Sequence, residues 1–87
     1  MPRLNVIREH LFEDSLVELA GSAERGDEFV AAAEDLLSRL PDAGTRLENG
    51  VWTLPMSPIQ GRDVWLFYTF DETAVTFLVI AAIEDSA

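Results

Sequence analysis

The 87-residue chain has no cysteine, no lysine and a single histidine, and no apolar run longer than the nine residues Val75 to Ile83. Without cysteine there is neither a disulfide framework nor a thiolate metal site. These nine residues, eight of them apolar, fall far short of the roughly 18–20 that a membrane-spanning helix needs. Nothing near the N-terminus has the basic and apolar pattern of a signal peptide, and the expected location is cytoplasmic. Six arginines are the only fixed cations against sixteen acids, for a net charge of −10. Protein–nucleic acid affinity draws heavily on cations that neutralise phosphates, so this balance disfavours nucleic acid as a partner.

What is present points to an ordered chain. Apolar residues make up 48% of it, too many for a disordered tail. The length suits one domain, residues 1–87, with one modest core. The acids are dispersed, eleven in residues 1–50 and five in 51–87, as on a solvated surface.

The clearest pattern lies in the last third. Val64 to Phe70 and Val75 to Ile83 are two β-forming runs joined by an acidic turn at Asp71-Glu72. Both are apolar on two faces, which predicts the centre of a sheet rather than its edge. Upstream, Arg3 to His10 reads as a short strand. Phe12, Leu16, Leu19, Ala20 and Ala23 make one helical stripe, with Gly21 and Gly26 bracketing its end and the turn beyond. Phe29, Ala33, Leu36, Leu37 and Leu40 make a second, with Asp27 as its expected cap and Pro41 as its stop. Asn49-Gly50 predicts a type I′ hairpin between Arg46-Leu47-Glu48 and Val51 to Leu54. Pro55, Ser57, Pro58 and Gly61 then predict an edge strand running into a loop. The fold class is therefore α+β: a short N-terminal strand, an antiparallel helical hairpin, then a three- to four-stranded antiparallel sheet.

This order, and the residues Gly50 to Leu54, Trp65-Leu66-Phe67-Tyr68 and Val75 to Ile83, resemble the RelE/ParE superfamily of bacterial toxins. The resemblance implies a helical hairpin laid on a sheet and, for the ribonuclease branch, mRNA cleavage by lysines, arginines and a late tyrosine or histidine. The chain departs from that pattern where the chemistry would sit. Trp65 occupies the place of the arginine expected three residues before Tyr68. Ile83, Glu84, Asp85 and Ser86 stand where basic residues are expected. Carboxylates at a phosphate site repel it. The gyrase-poisoning branch, which needs no catalytic residues, is the closer analogue.

Four residues remain as catalytic candidates: Arg46, Arg62, Tyr68 and His10. Each also has an ordinary explanation in local ion pairing, burial or a helix start. Glu9, Glu13, Asp14 and Glu18 read as a solvated helix face, and no cofactor or metal is expected. Trp52, Trp65, Phe67 and Phe77 carry a different expectation. Two-sided strands need cover on both faces, and two helices cover only one. These aromatics are expected to meet an antitoxin-like protein partner or a second copy in a homodimer. The expected function is a non-catalytic protein-binding domain, the toxin-like member of a toxin–antitoxin pair. The alternatives are an mRNA interferase-like, RNA-cleaving toxin with relocated catalytic residues, and an acidic adaptor or inhibitor that has lost toxicity.

Overall fold

In the computed structural model, which describes residues 3–83, the two most apolar segments of the chain become neighbouring strands inside one sheet. The elements in chain order are β1 (Asn5–Arg8), α1 (His10–Ala20), α2 (Ala23–Arg39), β2 (Thr45–Arg46), β3 (Trp52–Ile59), β4 (Arg62–Phe70) and β5 (Ala74–Ala82). The sheet order is β1-β5-β4-β3-β2, so β4 and β5 lie inside it, as their two-sided apolar pattern requires. The α+β class is observed, but the sheet has five strands and is mixed rather than purely antiparallel. β1 runs parallel to β5, Asn5 opposite Ala74 and Arg8 opposite Phe77. A parallel neighbour needs a long crossover, and here nearly the whole chain supplies it.

The helices begin and end for local reasons. α1 ends at Gly21, whose N–H donates to the Val17 carbonyl at 2.8 Å. Ser22, rather than Asp27, caps α2: its hydroxyl accepts from the Arg25 N–H at 3.2 Å. Gly26 lies inside α2 rather than in a turn, because the two helices touch there. A Cβ at this position would sit 2.7 Å from the Leu16 side chain. Ser15 of α1 bonds to its own helix and to the sheet. Its hydroxyl donates to the Phe12 carbonyl and accepts from the Ile80 N–H at 3.2 Å, covering part of the outer edge of β5.

Phe12, Leu16, Val30 and Leu37 of the helices are buried against Val64, Leu66, Tyr68, Val75, Phe77 and Ile80 of the sheet. Each such side chain contributes about 1.5–3 kcal/mol of apolar burial. A β-bulge sets which residues of β5 face this core. Phe67 pairs with Val79 and Tyr68 with Phe77, leaving Leu78 as the extra residue. Val75 and Phe77 point to the helices before the bulge, and Ile80 does so after it. A second bulge sets Ser57 and Pro58 of β3 against Asp63 alone. It lets β3 absorb Pro58 and continue, so the edge strand expected to run into a loop here extends to Ile59. The chain then reverses at Gln60-Gly61, with φ of 51° and 78°. Asn49-Gly50 is the other such reversal: φ is 60° and 75°, and the Val51 N–H donates to the Glu48 carbonyl at 3.3 Å.

Arg8 ties β1 to both helices. Its guanidinium donates to Asp27 and Glu34 at 2.7 Å each and to Glu13 at 3.3 Å, with only 19% of the side chain exposed. Partial burial works against its charge. The bonds to Glu34 and Asp27, with the charge of Glu34, more than compensate and hold its pKa above the ordinary arginine value. Replacing it would leave three carboxylates facing one another. Arg8→Met is expected to lower unfolding stability by about 1–3 kcal/mol in urea titrations, with part of the loss recovered at high salt. A loss below about 0.5 kcal/mol would show that the cluster is a surface feature without structural weight.

Candidate functional site

Tyr68 is fully buried, and its hydroxyl is committed on both sides. It donates to the Pro41 carbonyl at 2.7 Å and accepts from the Gly44 N–H at 3.1 Å. The chain approaches so closely here that a Cβ on Gly44 would overlap the Thr53 carbonyl and lie 2.6 Å from the Tyr68 hydroxyl. Tyr68 thus anchors the segment between α2 and β2 to the sheet. Its proton is held by that segment rather than offered to a substrate.

Arg46 lies in register with Trp52 and Tyr68, two strand spacings or about 10 Å from the tyrosine, whereas His10 and Arg62 lie apart from both and from each other. His10 opens α1 with 92% of its side chain exposed and its Nε2 3.3 Å from Asp14. Arg46 pairs with Trp52 at one end of β3, while Arg62 pairs with Ile59 at the other. Seven positions along a strand separate the two arginines by about 23 Å. His10 follows β1, at the opposite sheet edge from the Arg46 strand, four strand spacings or about 19 Å away. No point lies within hydrogen-bond reach of all these groups. Glu13 turns to Arg8 and Asp14 to His10. Among the described residues no three His, Cys, Asp or Glu side chains are grouped to hold a metal ion. Nor is any described helix long and apolar enough to cross a membrane. Glu84, Asp85 and Ser86, which stand where basic residues were expected, lie outside the described residues.

The four aromatics divide between the faces of the sheet. Phe77 is fully buried under the helices, packed edge-on against Phe12 with ring centroids 5.2 Å apart. Trp52 shares that face, 5.2 Å from the Phe70 ring and 6.5 Å from that of Tyr68. Trp65 and Phe67 point the other way and are partly exposed. Register places Val79, Ala81 and Thr76 of β5, Thr53 and Pro55 of β3, and Ile7 of β1 on their side. Both helices pack on the opposite face, so among the described residues no helix covers this one. It is a continuous, uncharged surface on a chain of net charge −10, with Asp63 at its margin. Alternation from Trp65 and Phe67 identifies the β4 part of this surface in the sequence. The β5 part is hidden, because Val75 to Ile83 is apolar on both phases and only the bulge at Leu78 decides which residues face out.

A scan of family models and a search of curated proteins find no match to this chain. The sheet bears an open apolar face, and the sequence-predicted candidates Arg46, Arg62, Tyr68 and His10 do not converge on one point.

Tyr68 is the only tyrosine, so phenolate absorbance reports it alone. Burial raises its pKa above the usual 10.0; the Gly44 N–H opposes that rise and the charge of Asp42 adds to it. In the folded protein the midpoint is expected above 10. The associated stability is complete below pH 10 and lost as pH rises through the folded value. A midpoint at or below 10 in folded protein would mean that the hydroxyl is not enclosed. Tyr68→Phe is expected to remove this alkaline dependence and to cost about 1–3 kcal/mol, because the buried Pro41 and Gly44 groups lose their partner.

Proposed function

We propose that this chain is a protein-binding domain of RelE/ParE-like architecture, the toxin-like member of a toxin–antitoxin pair that acts without catalysing RNA cleavage. The observation that carries the reading is the uncovered sheet face centred on Trp65 and Phe67. Mixed aromatic and β-branched surface without charge is what the centre of a protein interface is made of. The helical hairpin on the other face and the antiparallel β3-β4-β5 ending support the family-like architecture. The distance of Arg62 and His10 from Arg46 and Tyr68, and the commitment of the Tyr68 hydroxyl to Pro41 and Gly44, favour binding over cleavage.

Magnitude bears on the kind of partner. Five strands over about six residues give the face roughly 400 Å² in projection. A standard protein interface covers about 800 Å² on each partner. A partner that covers the face therefore extends beyond it, which suits an extended segment wrapping the domain better than a face-to-face homodimer.

Inducible expression in a bacterium is expected to arrest growth, and co-expression of the product of the adjacent open reading frame to relieve the arrest. Trp65→Thr with Phe67→Thr keeps strand propensity while removing the aromatic anchors. That variant is expected to stay folded by circular dichroism and to lose at least 100-fold in affinity for the neighbour's product. No arrest in the parent chain would overturn the toxin reading. Unchanged affinity in the double variant would overturn the assignment of the surface.

A further inference from the structure

A second surface lies in the helix layer, on the far side of the sheet from Trp65 and Phe67. Where α2 ends against the β4–β5 turn, a cleft of about 760 Å³ opens between Leu4, Leu40, Pro41 and Phe70. Its floor is apolar, and Leu40 leaves 52% of its surface to solvent. Its rim carries three carboxylates, Asp42, Asp71 and Glu72, against one guanidinium, Arg39. Arg39 is already engaged, donating to the Asp35 carboxylate at 2.8 Å. Asp71 accepts from the Thr73 and Ala74 N–H groups at 2.8 and 2.9 Å and from the Thr73 hydroxyl at 2.9 Å. These bonds hold its carboxyl below the usual aspartate range, so it stays ionised. Asp42 and Glu72 form no ion pair among the described residues. The C-terminal end of the α2 dipole adds to the negative potential there.

We infer that this cleft docks a basic segment of another polypeptide, which seats one large apolar side chain between Leu40 and Phe70 and sets arginine or lysine against Asp42 and Glu72. An apolar floor within a negative rim selects against acidic and purely polar segments. The net charge of −10 opposes approach by a nucleic acid or an anionic membrane. A flexible basic peptide meets both requirements. The inference goes beyond the proposed function: it needs neither toxicity nor the open face.

The probe is an unlabelled hexapeptide, Gly-Arg-Trp-Arg-Arg-Gly, titrated into the ¹⁵N-labelled full chain at low salt. Shift changes are expected to centre on Leu4, Leu40, Phe70 and Glu72. A peptide with alanine for tryptophan and one with glutamate for arginine are each expected to bind at least 10-fold more weakly. Asp42→Asn with Glu72→Gln, both at exposed positions, should weaken the parent peptide about 5-fold at low salt. That difference should vanish in 1 M salt, where the screening length is about 3 Å. Trp65→Thr with Phe67→Thr should leave this binding unchanged, which separates it from the open face. Absence of binding at millimolar peptide, equal binding of the glutamate peptide, or shifts centred on Trp65 and Phe67 would overturn the inference.

Discussion

Everything in this molecule depends on pairing two strands, β4 and β5, that are apolar on both faces. Their inner residues, Val64, Leu66, Tyr68, Val75, Phe77 and Ile80, make the floor on which α1 and α2 lie. The same pairing commits Trp65, Phe67, Val79 and Ala81 to the other side. The described residues form two α-helices, and both lie on one face. The core and the uncovered surface are therefore one constraint seen from its two sides.

Local contacts then fix what the hairpin leaves open. Arg8 pulls β1 against the helices through three carboxylates, and β1 in turn occupies part of the outer edge of β5. Ser15 takes the Ile80 N–H along that edge. At the other side, Pro55 and Pro58 have no N–H to offer, which blunts the free length of β3. Tyr68 and Gly44 draw the segment after α2 onto the sheet. The edges are managed while the open face is not, and this contrast gives the face its interest.

Much of this arrangement is legible in the residues themselves. The central hairpin follows from unbroken β-forming runs around Asp71-Glu72, and the β2–β3 turn from Asn49-Gly50. The burial of Tyr68 follows from its alternation with Val64, Leu66 and Phe70. Other features leave no local trace. The β1–β5 pairing joins opposite ends of the chain, and a four-residue strand carries no mark of its partner. The prolines at 55 and 58 mark an edge strand, but where it ends is hidden, because a bulge at Ser57-Pro58 carries the strand on to Ile59. The start of α2 is masked because Gly26 looks like a breaker, whereas it is the close contact with Leu16. The candidate site divides in the same way. Trp65 and Phe67 follow from strand alternation. Phe77 does not follow them, because odd-numbered residues of β5 face the helices before Leu78 and the open side after it. The cleft at Leu40 and Phe70 joins two turns distant in sequence, each unremarkable alone.

The proposed function requires the open face to be an occupied surface in the cell. Site-specific photo-crosslinking addresses it directly, with benzoylphenylalanine at position 67 and, as control, at the exposed helix position 32. Irradiation of cells carrying the native locus is predicted to give one defined protein adduct from position 67 and none from position 32. No adduct from position 67, or the same adducts from both positions, would contradict the claim.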